Sequence, residues 1–235
     1  MPEVNIEFPD VFILCGGKGT RFRNVSEDIP KALAPINGVP FLDLLLNDLV
    51  GQGCHRIIVG TGYLSEQIES HIQQRFDAEY LISREESPLG TGGAIRNALP
   101  IFQSEQILII NGDSFIAFSV QAFLKFHKIQ LASASILLSS VTKGNDYGNV
   151  ELGPDHRILG FNEKSGDSIA QFINAGVYCL NKDLIKRQQE GKASIEQDWL
   201  PEWLKKENIM GMVLKKPFYD IGTLVRFELA QQYLT

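Results

Sequence analysis

Four short apolar runs, alternating with helical stretches, limit what this chain can fold into more than any other feature. Val11 to Leu14, Arg56 to Gly60, Tyr80 to Ser83 and Gln106 to Ile110 are short, and none carries the polar alternation of a strand with a wet face. The first two read as short buried strands and the other two as further strands of the same sheet. Between them, Phe41 to Val50 is dense in leucine and closed by Gly51 and Gly53. Ser65 to Phe76 carries Ile68 and Ile72 one turn apart, and Thr91 to Leu99 opens on paired glycines. These read as helices. Strands and helices in this order predict an α/β fold with a mostly parallel sheet and right-handed crossovers. Ligands of such sheets bind beyond the carboxyl ends of the strands. A glycine-rich turn after the first strand and Asp113 after the fourth would both fall on that rim.

The second half is patterned differently. Ser119 to Gln130 reads as a helix and Ala134 to Val141 as a strand, but beyond Tyr147 the strands shorten, to Gly148–Leu152, Arg157–Asn162 and Ile173–Leu180. Turn formers separate them, Gly153-Pro154-Asp155 and Ser165-Gly166-Asp167. Helices are expected at Lys182 to Gln189, Ile195 to Lys206 and Leu224 to Leu234, with a last strand closing at Phe218-Tyr219-Asp220. No repeat or low-complexity linker divides the chain, so a single domain is expected over 1–235.

The turn after the first strand contains Cys15-Gly16-Gly17-Lys18-Gly19-Thr20-Arg21. Glycines let successive N–H groups converge on phosphate oxygens, and Lys18 and Arg21 add positive charge. It is not a Walker loop, since Thr20 and Arg21 follow Gly19. It is not the dinucleotide fingerprint either, since Phe22 stands where the third glycine belongs. Downstream, Lys31 lies between Pro30 and Pro35, which predicts a rigid extended segment able to fold back over the cradle.

Composition narrows the partners of such a cradle. A net charge of −6 argues against a nucleic-acid binder. Phosphate must then be held by local cations, backbone N–H groups and a metal. The apolar runs fall short of the ~20 residues that span a bilayer, and Met1 to Asp10 lacks the apolar core of a signal peptide. Cys15, Cys54 and Cys179 are too widely spaced for a metal pattern and too odd in number for a closed disulfide set. The expectation is a cytoplasmic protein with reduced thiols and no membrane contact. Cys15, with no base beside it in sequence, reads as a small residue lining the turn rather than a nucleophile.

The run L-C-G-G-K-G-T-R, then P-K-A-L-A-P-I from Pro30 and G-V-P-F-L from Gly38, resembles the sugar-1-phosphate nucleotidyltransferases. The likeness continues through Pro88-Leu89-Gly90-Thr91-Gly92-Gly93-Ala94, Asn111-Gly112-Asp113, Glu163-Lys164, Asn174-Ala175-Gly176-Val177-Tyr178 and Asp220-Ile221-Gly222-Thr223. It implies a Rossmann-like, GT-A-like sheet flanked by helices with a small sugar-binding lobe, 1–145 serving the nucleotide and 146–235 the sugar. It implies substrates too: a nucleoside triphosphate and a sugar 1-phosphate, joined by in-line attack with loss of pyrophosphate.

Such chemistry needs neutralised charge and fixed geometry, not a protein nucleophile. Arg21 would stabilise the leaving pyrophosphate with its fork, and Lys31 the α-phosphate, each at a cost of about 2.7–4 kcal/mol if removed, by analogy with one oxyanion donor. The resemblance assigns Mg²⁺ to Asp113 and Asp220, although Asp113 also suits a turn and Asp220 also suits a helix N-cap. It assigns the nucleotide to Leu14, Cys15, Gly16, Gly17, Gly19, Thr20, Glu85, Pro88, Gly90, Thr91 and Asp113. The sugar phosphate falls to Gly148, Glu163, Lys164, Asn174 and Gly176. Relatives commonly have proline at the positions of Ala32 and Ser165.

The resemblance puts Glu85 at the base-reading loop, where a carboxylate can accept from guanine N1–H and N2–H or from the single ring N–H of uracil or thymine, which leaves GTP, UTP and dTTP open. A solvated acid in the run Arg84-Glu85-Glu86 is the alternative. Within the family the motifs look closest to the D-glycero-D-manno-heptose 1-phosphate guanylyltransferases. Mannose-1-phosphate guanylyltransferases and uridylyltransferases acting on glucose- or N-acetylmuramate-1-phosphate are the alternatives. A non-catalytic nucleotide sensor and a cytidylyltransferase are the readings from other classes. Apolar residues of the second half suit a homo-oligomer interface as well as a core.

Overall fold

The computed structural model describes residues 7–17, 19, 28–140, 149–162 and 172–234. In chain order the elements are β1 (Asp10–Leu14), a single 3-10 turn (Lys31–Leu33), β2 (Pro35–Ile36), β3 (Val39–Pro40), α1 (Phe41–Gly51), β4 (Arg56–Thr61), α2 (Ser65–Ile72), β5 (Glu79–Arg84) and α3 (Gly90–Ala98). There follow β6 (Gln106–Asn111), β7 (Ser114–Ile116), α4 (Val120–Ile129), β8 (Ala134–Ser140), β9 (Asn149–Leu152), β10 (Ile158–Asn162) and β11 (Phe172–Asn181). The chain continues through α5 (Lys182–Lys186), a π turn (Ile195–Trp199), α6 (Leu200–Lys206), β12 (Ile209–Leu214), β13 (Phe218–Asp220) and α7 (Leu224–Tyr233).

The expected α/β fold is present. Strands β5, β4, β1 and β6 run parallel side by side, and β11 joins β6 antiparallel. Beyond β11 the sheet branches, to β8 and β12 along one path and to β9 and β10 along another, nine strands in all among the described residues. The branch follows from a break in β11: its register shifts between Asn174 and Tyr178, so Phe172 and Ile173 face β9 while Val177 to Asn181 face β6. A bulge of this kind bends a strand and re-aims its side chains. Strands from both halves of the chain therefore share one sheet.

Val11, Phe12 and Ile13 are each fully buried, because both faces of the sheet are covered. Val11, Ile13, Leu108 and Ile110 pack with α1, α2, α4 and α7, whereas Phe12, Ile107 and Ile109 pack with α3, α5 and α6. This is why β1 and β6 read as uninterrupted apolar runs instead of alternating ones.

Several boundaries differ from expectation. Helix α2 stops at Ile72, well before Phe76, whose side chain is 91% exposed and has nothing to pack on. Helix α5 stops at Lys186, short of Gln189. The expected helix from Ile195 opens as a π turn whose Ser194 hydroxyl accepts from Gln197 N. Strand β12 was not expected at all: it adds parallel to β8 and supplies an edge that local pattern does not announce. Lys31 is not on an extended segment. Pro30 is extended (ψ 137°), but the chain then winds into a 3-10 turn closed by Leu33 N donating to Pro30 O at 2.8 Å.

Candidate active site

Strands β1 and β6 lie next to each other and end together, Leu14 opposite Asn111. The loop after each crosses the same rim, where Gly112 N donates to Leu14 O at 3.0 Å. Asp113 follows at once and is half exposed. The short strand β7 that comes next pairs antiparallel with β13, setting Ser114 opposite Asp220. Ile221 N then donates to Asp113 O at 3.0 Å. Two carboxylates remote in sequence are thereby brought to one edge.

Asp220 is not a helix cap. Thr223 caps α7, its side chain accepting from Arg226 N, while Asp220 Oδ1 accepts from Gly222 N at 2.9 Å and pairs with Arg226 Nη1 at 3.2 Å. Lys31, delivered by the 3-10 turn, reaches the same place: its ammonium donates to Asp113 Oδ2 at 2.6 Å.

Magnesium takes hard oxygen ligands, and one or two carboxylates with substrate phosphates and water usually suffice. Asp113 and Asp220 match that donor set. Among the described residues no group of three histidine, cysteine or acidic side chains forms a metal site, so substrate oxygens would have to complete the coordination. Two buried oxygens beside the pair, Asn111 Oδ1 and Ser114 Oγ, have no hydrogen-bond partner among the described residues.

A second cluster lies across the rim. Gly16, Gly62, Tyr63, Glu85, Glu86, Ser87 and Pro88 line a cavity of about 160 Å³. Glu85 Oε2 accepts from Leu89 N at 2.8 Å, while Oε1 lies 2.6 Å from where a β-carbon on Gly16 would sit. Only a glycine at 16 lets the first turn and Glu85 share this wall. Burial pushes the Glu85 carboxyl up from its ordinary range, against the pull of the Leu89 amide.

The remaining expected residues divide. Leu14 ends β1, and Gly17 and Gly19 lie on the turn that follows. Cys15 is buried against the loop of Gly112, and burial, together with the charge of Asp113, raises its thiol far above the ordinary range; it is no nucleophile. Gly90 is exposed and Thr91 half-buried, and both lie against the 193–196 segment. Gly90 has φ +73°, and a β-carbon there would meet Ala193 O at 2.5 Å, so the glycine serves the packing of α3 against the 191–194 loop. Thr91 Oγ1 donates to Glu196 at 3.0 Å and accepts from Ile195 N at 2.9 Å. Asn174 Oδ1 accepts from Gly176 N, and its amide donates to Tyr178 Oη at 2.6 Å. Gly176, at φ +71°, abuts Asn111 and Ser114 in the bulge of β11. Thr20, Arg21, Gly148, Glu163 and Lys164 lie outside the described residues.

Three residues to which sequence reasoning gave no role belong to this arrangement. Arg226 holds Asp220. Tyr178 and Glu196 tie Asn174 to Thr91, with Tyr178 Oη donating to Glu196 Oε1 at 2.8 Å. The spacing of Arg226 one turn beyond Thr223 was available as a signal, but nothing local marks Glu196.

Residues 11–235 match the model of the family described as nucleotidyl transferase. The chain is 34% identical to the D-glycero-alpha-D-manno-heptose 1-phosphate guanylyltransferase of Aneurinibacillus thermoaerophilus, over 96% of this chain and 98% of the relative. It is 32% identical to the mannose-1-phosphate guanylyltransferase of Mycobacterium tuberculosis strain H37Rv, over 91% of this chain but only 61% of that longer relative. Among solved structures, HddC from Yersinia pseudotuberculosis complexed with GMP-PN superposes with a TM-score of 0.87 at 32% identity, covering 97% of this chain and all of that one.

Proposed function

Because the chain belongs to the nucleotidyl transferase family, we propose that it transfers a guanylyl group from GTP to D-glycero-D-manno-heptose 1-phosphate, giving a nucleoside-diphosphate sugar and pyrophosphate. The observation that carries the reading is the convergence of Lys31, Asp113 and Asp220 on the rim that also holds the Gly16–Glu85 cavity. The likeness to a guanylyltransferase over nearly the full length of both chains supports the base and the sugar.

The work of the residues follows from charge. Glu85 accepts from the guanine edge and holds the base against Gly16. The turn after β1 receives the triphosphate. Lys31, a compact ammonium on a flexible stem, moves onto the α-phosphate as negative charge grows there. The sugar phosphate oxygen attacks phosphorus in line and pyrophosphate departs, with Arg21 as its counter-charge. Asn174 and Gly176, with Gly148, Glu163 and Lys164, orient the sugar phosphate. Asp113 and Asp220 would hold Mg²⁺, which when bound neutralises phosphate charge and orients the triphosphate.

A matrix of GTP, UTP, dTTP and CTP against heptose, mannose and glucose 1-phosphates, with products identified by mass, tests the proposal. GDP-heptose as the dominant product is expected. GDP-mannose as the dominant product would move the chain to the second group of relatives. Products from UTP or dTTP alone would overturn the guanylyl assignment.

A further inference from the structure

Each carboxylate assigned to the metal carries a protein cation. Lys31 Nζ lies 2.6 Å from Asp113 Oδ2, and Arg226 Nη1 lies 3.2 Å from Asp220 Oδ1. Three of these groups, Asp220, Lys31 and Arg226, surround Gly222. A β-carbon there would sit 2.8 Å from Asp220 Oδ1, 3.7 Å from Lys31 Nζ and 3.8 Å from Arg226 Nη1. Lys31 is the more buried partner of its pair: its side chain is 16% exposed and that of Asp113 44%.

Magnesium sits about 2.0–2.1 Å from a carboxylate oxygen. An ion on Asp113 Oδ2 would thus compete with the Lys31 ammonium for the same oxygen, and like charges so close repel strongly in a partly buried site. The two cations differ in freedom. Arg226 is fixed at the capped start of α7, with its backbone N–H accepted by Thr223. Lys31 stands on one 3-10 turn with a four-carbon stem.

Resting on the assignment of Asp113 and Asp220 to the metal, we infer that Lys31 stands in for the divalent ion in the substrate-free enzyme, so that metal enters only with the nucleotide. The ammonium neutralises Asp113 until an α-phosphate is present to receive it. Its departure then frees the carboxylate at the moment when phosphate oxygens are present to complete the coordination. Free enzyme is spared an adventitious ion, and the charge that neutralises Asp113 is the one the reaction uses next.

The test is Mn²⁺ binding to the full chain without nucleotide, read by electron paramagnetic resonance. Lys31→Gln should bind Mn²⁺ at least about tenfold more tightly than the wild type, while Lys31→Arg, which keeps the charge, stays within a few-fold of it. Adding Asp113→Asn to Lys31→Gln should abolish the gain. Should Lys31→Gln not fold, Lys31→Met makes the same comparison. Equal affinity of the wild type and the uncharged variant, at a site that Asp113→Asn removes, overturns the inference and leaves the metal assignment standing. No Asp113-dependent site in any variant overturns both.

Discussion

Asp220 stands opposite Ser114 in the two-stranded β7–β13 ladder, which brings its carboxylate to the rim where Asp113 already lies. Asp220 is held within the ladder, and Asp113, on the loop just before it, is tied to the same edge by Ile221 N donating to its carbonyl. Asp113→Asn and Asp220→Asn should each lower kcat/KM by about 10²–10³-fold, the scale of losing one preorganised charge-stabilising group. The thermal melt of Asp113→Asn should stay close to wild type, because Asp113 is half exposed. Full activity in either variant would remove that residue from the site.

Glu85 should govern the base. Glu85→Gln keeps the shape but turns one acceptor into a donor, so the KM for GTP should rise by about tenfold or more and its advantage over UTP should shrink. Its carboxyl is raised by burial. GTP affinity should therefore be complete at neutral pH and fall on acidification, as the carboxylate takes up a proton above its ordinary value of 4.5. A KM flat from pH 7.5 to 5, with an unchanged base preference in the variant, would exclude the role.

The bulge at Gly176 should be intolerant of any side chain. At φ +71° a β-carbon would lie 2.7 Å from Asn111 Nδ2 and 2.8 Å from Ser114 Oγ. Gly176→Ala should lower the unfolding free energy by about 1–3 kcal/mol, readable from urea midpoints, through strain and displaced neighbours. A neutral substitution would show that β11 does not need this bulge.

His127 predicts an acid limb of stability. It is buried between α4 and the sheet, with Nδ1 2.9 Å from Ser135 Oγ and Nε2 3.1 Å from Asn181 Oδ1. Burial lowers its basicity, with the Asn181 contact opposing in part. The unfolded chain therefore binds the proton more readily. Stability is complete above the ordinary value of 6.5 and is lost as pH falls through the lowered native value. Urea midpoints at pH 7.5 and 5.5 should differ more for the wild type than for His127→Gln.

Cys15 should be silent despite its place on the rim. Its thiol is buried and held in the neutral form by burial and by Asp113. Native protein should resist iodoacetamide at Cys15 and lose no turnover on exposure. Rapid alkylation with parallel inactivation would contradict the description of the loop.

How much of this could be read beforehand depends on where the deciding contact lies. The parallel strands were readable because Val11 to Ile13 and Ile107 to Ile110 are covered on both faces, which leaves an unbroken apolar signature. Strand β12 was not, since its existence rests on an edge offered by β8. Helix α2 overran to Phe76 because composition does not show that the residue has no surface to cover. In the site, the strand order alone put Asp113 on the rim, Asp220 was legible only through resemblance, and their meeting is a property of the β7–β13 ladder. Gly90 and Thr91 carry a motif, yet their immediate partners are Ala193, Ile195 and Glu196, far along the chain.

The most direct measurement is pyrophosphate release from GTP with Mg²⁺, with and without D-glycero-D-manno-heptose 1-phosphate. Release that requires the sugar phosphate, matches the GDP-sugar formed mole for mole and disappears in Asp113→Asn is the predicted result. No release with any sugar 1-phosphate, or phosphate loss from GTP alone, would contradict the account.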